Sequence, residues 1–444
     1  MKILSSNVSN PSVNELFEFT NGLDVDKLLF RQEIKIQKVW LSHLIKIGII
    51  SDKEGASLES ALEQAEDLMA SGNFDWQIAD EDIHMNIERF VTEKCGEVGK
   101  KIHLGRSRND LIATTLRLYV SDCLNQIQNF ISKLNSNIKD KALEWIDVIV
   151  PGMTHLQFGQ PIRLGHIFSS HGYALMRDQK RIRDSITECL SYCPLGAAAF
   201  AGTHLPIDLK SVAYNLGFVN HLQHSYDAVG DRDFILDALN SFSLLSVHLA
   251  KLSEEIMYWT STPVGVLVLP NQYSTGSSIM PNKRNPDVPE LVRAKMARVM
   301  SCAQEGLIIV KAVVPSYGTD LHELKRTFVL AFKELLDSLK ILEPFVNGLE
   351  CNMDIAKQKL TSGHILATDV ANQLCQQGVP FRDAYLKTAV LVTEGNTQNR
   401  QIHEIVKEKL GLSLSVEDSV EKRNNIGGTA RKEAIFAIEN LPSD

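Results

Sequence analysis

The sequence predicts an all-α fold built around a bundle of long helices. Apolar residues recur at alternating spacings of four and three in two long segments, one from Leu116 to Leu134 and one from Ile235 to Trp259. This spacing places the apolar side chains on one face of a helix. Strand signal is limited to the short apolar stretches 148–151 and 264–269. Helices of this length usually bury a second face in another subunit, so we expect an oligomer.

Changes in the helical pattern divide the chain into three predicted domains. Residues 1–107 combine short helices and loops, with helices expected over 26–48, which Gly48 ends, and over 53–69. Residues 108–350 contain the long helices, because segments 164–191 and 287–313 show the same apolar spacing. Residues 351–444 return to short helices and form a small C-terminal domain.

Composition sets the class of protein. The 444 residues are 44% hydrophobic and 23% charged, which predicts a globular chain large enough for two or three domains. A net charge of −8 without a basic stripe argues against a nucleic-acid partner. No apolar run approaches the ~20 residues of a membrane span, and the start Met1–Asn7 lacks the apolar core of a signal peptide. We therefore expect a cytoplasmic protein that does not bind membranes.

The seven cysteines are scattered along the chain without paired CxxC spacing. This pattern favours reduced thiols in the core over disulfides or a zinc site. Cys189 and Cys193 are four residues apart, but two cysteines on one helix face are a weak metal signal, and we favour packing there.

The most informative segment is the signature loop, which we define as residues 274–287. Gly276 lets backbone N–H groups approach a ligand, and Lys283 brings a positive charge six residues after Ser277. The residues that follow are typical of a helix start: Asn285, Pro286 and Asp287. The segment predicts an anion-binding loop at the start of a helix, although a plain polar loop would have a similar composition.

Three other segments carry candidate polar residues. Residues 105–110, GRSRND, place two Arg, a Ser and an Asn at a helix entry, which suits a carboxylate as well as it suits a surface charge cluster. Thr154 and His155 lie in a loop bounded by Gly and Pro, where an imidazole is suited to proton transfer. A lone histidine such as His84 is more often structural than functional. The small residues at 194–202 favour close packing over chemistry.

Together these motifs resemble the fumarase/aspartase superfamily and, within it, the argininosuccinate lyase family. The segment GSSIMPNKRNPD resembles the superfamily signature. The family's other motifs follow in order over nearly the whole chain: GRSRND, THLQ with QP, PLGA with DRD, GVPFRDA and GGTA. The resemblance implies an all-α, three-domain fumarase/aspartase-like fold with a long central helical bundle. It also implies a homotetramer whose active sites are shared between subunits.

The resemblance further implies the chemistry. Argininosuccinate would be split into fumarate and L-arginine by anti β-elimination, the last step of arginine biosynthesis, with no metal and no organic cofactor. Ser277 and His155 would be the base and the acid, an assignment that the sequence leaves open in both directions, and Glu290 would orient His155. The residues implied to contact substrate are Asn109, Thr154, Lys283, Asn285, Tyr317, Lys325, His84, His322 and Gln37.

The chain departs from the family pattern mainly on the side of the released amine. The family has Ser at Gln37, His at Trp40, Thr at Leu104 and Gln at Leu111, and its YNxDxQEDK motif differs here at Gly318, His322 and Leu324. Gln37 and His322 can still donate or accept hydrogen bonds. One alternative is therefore a related C–N lyase that releases fumarate from a different N-substituted aspartate. A non-catalytic scaffold is disfavoured, because Ser277, His155 and Lys283 are all present.

Overall fold

The computed structural model describes residues 19–442, so predictions that concern 1–18, such as the character of Met1–Asn7, and 443–444 lie outside the described residues. The α-helices of the described chain are Leu23–Asp26, Phe30–Lys46, Asp52–Ala70, Ile83–Cys95, Arg108–Glu144, Leu164–Cys189, Leu209–Leu216, Ser225–Gly230, Asp233–Thr260, Asp287–Val310, Leu321–Asn347, Met353–Lys359, Ala367–Gln376, Phe381–Gln398, Ile402–Leu410, Val416–Glu421 and Arg431–Glu439. Short 3-10 helices cover Lys27–Leu29, Ile78–Asp80, Gly96–Lys101 and Asn271–Tyr273.

Between residues 19 and 442, strands are few and form three separate two-stranded antiparallel ladders. The pairs are Ile149–Thr154 with Gln157–Arg163, Leu267–Val268 with Glu350–Cys351, and Thr275–Gly276 with Arg284–Asn285. The prediction of a mostly helical fold is confirmed.

Contacts between residues group the chain into two compact units. Unit 1 contains the described residues up to Gln128 together with Arg181–Leu244 and Arg298–Leu335. Unit 2 contains Asn129–Lys180, Leu245–Ala297 and the described residues from Leu336 onward. The predicted three-domain boundaries at 107/108 and 350/351 fall at the start of the helix Arg108–Glu144 and within the short strand Glu350–Cys351, and they stay a prediction.

The long helices follow the apolar spacing of the sequence. In Asp233–Thr260, the residues predicted to form the apolar face are all buried, from Ile235 through Phe242 and Leu249 to Trp259. In Arg108–Glu144, which has 37 residues, the same is true of the predicted face except for the half-buried Phe130. One further long helix, Leu321–Asn347, is absent from the sequence predictions.

In unit 1, the predicted helix 26–48 begins later than its apolar pattern indicates. Leu23–Asp26 and Lys27–Leu29 form two short turns, and the regular helix is Phe30–Lys46. It ends before Gly48, whose positive φ of 75° favours glycine. The following helix, Asp52–Ala70, is closed by a capping box between Ser51 and Glu54. These helices bury Trp40, Leu44 and their neighbours in one core.

In unit 2, residues 154–161 were expected to form a loop, and this prediction is wrong. They continue into a β-hairpin in which Thr154 pairs with Gln157, so only His155 and Leu156 make the turn. Both turn residues have positive φ, 55° and 57°. A two-residue hairpin turn of this hand fits the twist of the flanking strands, but it normally uses Asn-Gly.

The C-terminal residues form small helices, as the sequence predicts, and they have a core of their own around Val370, Ile402 and Val406. Elsewhere in unit 2, the last helix, Arg431–Glu439, packs Ala434 and Ile438 against Ala142 and Ile146. All seven cysteines are unpaired thiols. Among helices within residues 19–442, none is both long and apolar enough to cross a membrane.

Candidate active site

The signature loop lies in unit 2 and is closed at its base by a short ladder. Thr275 pairs with Asn285 and Gly276 with Arg284, so residues 277–283 project from two paired strands. Asp287, the first residue of the following helix, accepts hydrogen bonds from the backbone N–H and the hydroxyl of Thr275, at 3.2 and 2.6 Å. The predicted helix start is confirmed. The side chain of Asp287 stabilises the base of the loop through these two hydrogen bonds.

The hydroxyl of Ser277 is the best-defined polar group in this loop. Its Oγ accepts hydrogen bonds from the backbone N–H groups of Ile279, at 3.3 Å, and Met280, at 3.1 Å. N–H donors directed at an oxygen favour its anionic form. Ser277 therefore has the local environment that a serine needs to act as a base.

The other predicted residues of the signature loop face solvent in the isolated chain. Lys283 and Glu290 are exposed, and Asn285 is half-buried, with its amide 3.4 Å from the hydroxyl of Thr275. Ile279 is 83% exposed, which is unusual for a large apolar side chain. The loop thus combines a cation, an amide and an apolar side chain on an accessible surface.

His155 occupies the tip of the hairpin, where its side chain is exposed. Its positive φ costs on the order of 1–2 kcal/mol for a residue with a Cβ atom, and the same holds for Leu156. Leu156 is 74% exposed, so core packing does not explain this turn. A strained, exposed turn that presents an imidazole is the kind of feature found at functional sites.

Within unit 2, the three proposed catalytic residues do not contact one another through polar groups. Among the described residues, no hydrogen bond or ion pair joins His155 to Glu290 or to Ser277. The proposed orientation of His155 by Glu290 stays a prediction.

Unit 1 gathers four of the predicted substrate-contacting residues, His84, Tyr317, His322 and Lys325, into a region that we call the charged cluster. Lys325 forms an ion pair with Asp26, and each side chain is only 3% exposed. A buried ion pair is costly to form and strongly destabilising to break. Sequence reasoning missed Asp26, which lies 299 positions from its partner.

Tyr317 and His322 meet through a hydrogen bond between the phenol hydroxyl and Nε2 of the imidazole. Burial, reinforced by the charge of Lys325, lowers the pKa of His322 to about 4, so the ring is neutral at pH 7. In the tautomer that accepts from Tyr317 at Nε2, the neutral ring carries its proton on Nδ1. Nδ1 is buried, and no described residue accepts its hydrogen bond, so this N–H can serve an acceptor on a ligand.

The backbone that carries Tyr317 comes unusually close to the helix Ser225–Gly230. A Cβ atom at Gly230 would lie 2.4 Å from the carbonyl oxygen of Ser316, so only glycine allows this approach. Ser316 itself has a positive φ of 80°. Gly230, which directly precedes the DRD segment, therefore helps to place Tyr317.

His84 lies beside a carboxylate that sequence reasoning missed. Its Nδ1 atom is 2.9 Å from Oε2 of Glu33, and the two side chains are 5% and 0% exposed. The contact is an ion pair rather than a well-aligned hydrogen bond. His84 was considered more typical of a structural histidine, but its burial next to a carboxylate makes it one of the charged groups of the site.

Gln37 and Trp40, two departures from the family pattern, contact Glu33 or its neighbour Arg106. Gln37 donates to Glu33 at 2.6 Å and accepts from Arg106 at 2.7 Å, so both ends of its amide are engaged inside the protein. Trp40 donates to the carbonyl of Leu104 at 3.0 Å, and its ring faces the Arg106 guanidinium. In this structure Gln37 supports its neighbours, and its direct contact with substrate stays a prediction.

The GRSRND segment supplies charged side chains and also hydrogen bonds that hold neighbouring backbone in place. Arg108 pairs with Glu81 and Asp82 at 2.7 and 3.0 Å. Asp110 is completely buried and accepts hydrogen bonds from three backbone N–H groups, those of Ser107, Gly196 and Ala198. The small-residue loop at 194–202 is therefore packed onto the start of this helix, as its composition favours. Asn109 donates to the carbonyl of Ala199 at 2.9 Å.

Arg232 is a further charged residue of unit 1 that sequence reasoning did not single out. Its side chain is 1% exposed, and it donates from Nη1 to the carbonyls of Val229 and Asp231. Burial lowers the pKa of its guanidinium to about 10, which leaves it charged at pH 7. The DRD motif was the only sequence signal, and burial cannot be deduced from it.

The chain is similar to known proteins both in sequence and in fold. A lyase family model matches residues 11–301, and a model described as the argininosuccinate lyase C-terminal region matches residues 364–424. The argininosuccinate lyase of Nitrosomonas europaea is 36% identical over 448 residues, covering 98% of this chain and 97% of the relative. That of Saccharophagus degradans is 37% identical over 447 residues, covering 98% and 95%.

Similar solved structures include a variant of EDDS lyase with bound fumarate, at a TM-score of 0.82 and 22% identity, which covers 98% of this chain and 90% of that one. The class II fumarase from Schistosoma mansoni has a TM-score of 0.74 at 18% identity, covering 88% of each chain. These likenesses concern the fold, and they agree with the mostly helical architecture expected from the sequence.

Proposed function

Because this chain belongs to the argininosuccinate lyase family, we propose that it cleaves argininosuccinate into fumarate and L-arginine by anti β-elimination. This reaction is the last step of arginine biosynthesis. The observation that carries the proposal on the structural side is the hydroxyl of Ser277, which two backbone N–H groups contact in a loop that also contains Lys283. An elimination of this kind needs a base beside a carboxylate-binding group.

Ser277 is the proposed base. Its Oγ removes a proton from the carbon next to a carboxylate of the succinyl group, and the electron pair moves into that carboxylate. A serine hydroxyl is a weak base unless its alkoxide is stabilised. The N–H groups of Ile279 and Met280 supply that stabilisation.

Lys283 and Asn285 are the proposed partners of the carboxylate that gains charge. The intermediate carries two negative charges on one carboxylate group, so a cation and an amide donor lower its energy more than that of the ground state. Both residues lie at the end of the loop opposite Ser277 and are accessible to a ligand.

His155 is the proposed acid. When the C–N bond breaks, the electron pair remains on the guanidino nitrogen, which takes a proton from the imidazole. The exposed position of His155 at a hairpin tip supports this role, since the ring is available to a substrate. Glu290 is proposed to orient the ring in the assembled enzyme, and the base and acid roles of Ser277 and His155 are exchangeable on this geometry.

The charged cluster is proposed to hold the rest of the substrate. Lys325, His84, Tyr317 and the unpartnered N–H of His322 offer both a cation and neutral donors. Asn109 and Thr154 are proposed as further contacts. His322 stands where the family has Gln, and its Nδ1 has no partner among the described residues and remains available to a ligand, which supports retention of the arginine substrate.

We place the active enzyme in a homotetramer with sites shared between subunits. The long helices carry exposed large apolar side chains, which support burial against other subunits: Leu244, Leu291, Leu307, Ile308 and Leu330. No hydrogen bond joins His155 and Ser277 within the described residues of one chain, which supports shared sites. A cytoplasmic location is proposed on the basis of seven unpaired cysteines, which suit a reducing compartment.

The proposal is tested by incubating the purified protein with argininosuccinate and following fumarate by its ultraviolet absorbance. We expect fumarate and arginine to form in equal amounts, and the Ser277→Ala protein to form neither. A second substrate, an N-succinyl amine without a guanidino group, tests the alternative. Release of fumarate from that compound, and none from argininosuccinate, would assign the enzyme to a different amine.

A further inference from the structure

Glu33 is a buried carboxylate for which the proposed mechanism has no role so far. Its side chain is completely buried in the helix Phe30–Lys46, with Oε2 at 2.9 Å from Nδ1 of His84. Transfer of an ionised carboxylate out of water is costly unless charge and hydrogen bonds compensate it. The groups that offset the burial of Glu33 therefore indicate whether its carboxyl group is ionised.

Both oxygens of Glu33 are occupied by donors. Oε1 accepts from the Gln37 amide at 2.6 Å, and Oε2 lies 2.9 Å from the hydroxyl of Thr115, whose single proton is shared with the carbonyl of Leu111 at 2.8 Å. Although burial raises the pKa of Glu33, His84 and Gln37 more than reverse this effect and lower it to about 2. Glu33 is thus ionised at neutral pH, and His84 is its only adjacent titratable cation among the described residues.

The groups that surround His84 also favour its charged form. Burial alone would lower the pKa of the ring, but Glu33, and then Asp82 and Asp26, raise it, and the net shift is upward. Asp82 is the N-cap residue of the helix that carries His84, and Asp26 lies on the short helix Leu23–Asp26. Lys325 already neutralises Asp26, and Arg106 lies beyond Gln37, so Glu33 is the dominant partner.

The two nearby histidines behave in the opposite way. Burial lowers the pKa of both His103 and His322 to about 4, and neighbouring cations, Arg106 for the first and Lys325 for the second, act in the same direction. Both rings are neutral at pH 7. His84 is therefore the histidine of this cluster whose surroundings favour the charged form.

The geometry leaves one nitrogen of His84 for another partner. With Nδ1 facing Glu33, Nε2 points to the opposite side of the ring, and no residue in the described part of the chain forms a hydrogen bond with it. We propose that Glu33 is a positioning residue that keeps His84 doubly protonated, so that Nε2 donates a charge-assisted hydrogen bond to a carboxylate of the substrate. This inference rests on the proposed lyase function and adds to it the source of the positive charge.

The charge state matters because a neutral ring has only one N–H. Without Glu33, a neutral His84 offers Nε2 as an acceptor in one of its two tautomers, which repels a carboxylate. Hydrogen bonds to charged groups are worth about 1.5–3 kcal/mol, which corresponds to a change of roughly 10- to 100-fold in kcat/KM.

The test compares Glu33→Gln with Glu33→Asp and the unmodified enzyme in their pH profiles of kcat/KM. Glu33→Gln removes the charge that raises the pKa of His84, so the ring becomes neutral as pH rises through neutrality. We expect activity to fall by roughly 10- to 100-fold at pH 8 and to recover toward pH 6, where His84 regains its proton. Glu33→Asp keeps a carboxylate and should preserve the normal profile in part.

Thr115→Val is the matched control, because it disturbs the same buried oxygen of Glu33 without changing any charge. It should change activity by one constant factor at every pH. If Glu33→Gln also differs from the unmodified enzyme by a constant factor, or does not differ, the inference is wrong.

A measurement on the unmodified enzyme tests the inference even if the Glu33 variants fail to fold. NMR of histidine-labelled protein, with the His84 signal assigned by its loss in His84→Asn, should show the ring doubly protonated at pH 7.5. A neutral ring at that pH would overturn the inference. This readout is independent of turnover, so an enzyme that releases no fumarate from argininosuccinate would contradict the proposed function alone.

Discussion

The side-chain carbonyl of Gln37 accepts a 2.7 Å hydrogen bond from Nη2 of Arg106, 69 positions further along the chain. The other end of the same amide donates to Glu33. Arg106 also donates to the carbonyl of Ile102, and its guanidinium faces the ring of Trp40. Gln37 and Trp40, two positions at which the chain departs from its family, therefore act on the same arginine. Because Gln37 and Trp40 contact the same residue, these two departures should not be counted as two independent losses of substrate contact.

The first prediction concerns Gln37. Gln37→Leu leaves Glu33 and Arg106 each without one partner in a buried site. An unsatisfied buried polar group costs about 1–3 kcal/mol, so we expect a lower free energy of unfolding by at least that amount. Denaturant titration followed by circular dichroism measures the loss.

The control for this variant is Gln126→Leu. Gln126 is exposed on the helix Arg108–Glu144, and such surface substitutions usually change stability by less than about 0.5 kcal/mol. Equal stability losses in the two variants would contradict the buried bridge.

The second prediction concerns Ser277. Ser277→Ala should abolish turnover, a loss of at least roughly 10²- to 10⁴-fold, while substrate binding and the melting temperature stay unchanged. The hydroxyl lies in an exposed loop, so its removal leaves no cavity in the core. Steady-state kinetics and binding by calorimetry make the comparison.

Ser278→Ala is the neighbouring control, because the side chain of Ser278 is exposed and makes no hydrogen bond with the described residues. We expect it to retain most of the activity. An unchanged kcat in Ser277→Ala would remove Ser277 from the chemistry.

The third prediction separates stability from activity at the Lys325–Asp26 pair. Lys325→Met strands a buried carboxylate and should cost about 3–5 kcal/mol of stability. Asp26→Leu combined with Lys325→Met removes both charges and should recover most of that loss. The double variant should nevertheless remain inactive if Lys325 contacts substrate.

The adjacent exposed pair provides the comparison for this experiment. Arg326 and Asp24 are 2.7 Å apart at the surface, and Arg326→Met should cost less than about 1 kcal/mol. Turnover in the double variant at Lys325 and Asp26 would exclude Lys325 from substrate binding.

The fourth prediction joins assembly to catalysis. In one chain no contact joins His155 and Ser277, and the 37-residue helix Arg108–Glu144 is about 55 Å long, as expected of a subunit that shares its sites. Mixing inactive His155→Asn protein with inactive Ser277→Ala protein should therefore restore some activity after subunit exchange, because certain sites then carry neither substitution.

Native mass spectrometry verifies that hybrid oligomers form in this mixture. If hybrids are present and activity stays at the level of the parents, His155 and Ser277 of a site come from the same chain.

The site was predicted less completely than the helices. Motifs identified Ser277, His155 and Lys325 as candidates, because these are chemically distinctive residues in recognisable segments. They did not reveal Asp26, Glu33 or Arg232, since an Asp, a Glu or an Arg on a helix has no local feature that distinguishes burial from exposure. The second strand of the hairpin at 157–163 was missed for a related reason: strand pairing is a contact between segments, and its residues lack clear alternation.

The sequence by itself determined the features that depend on residues close together along the chain. The heptad spacing of 235–259 determines a helix, and Gly48 ends one, because helical periodicity and backbone freedom are local properties. Tertiary structure alone decided which polar groups became partners. Lys325 meets Asp26 across 299 positions, and Gln37 reaches Arg106, because an unpaired polar group is costly in the low dielectric of the interior, which favours folds that pair such groups in space.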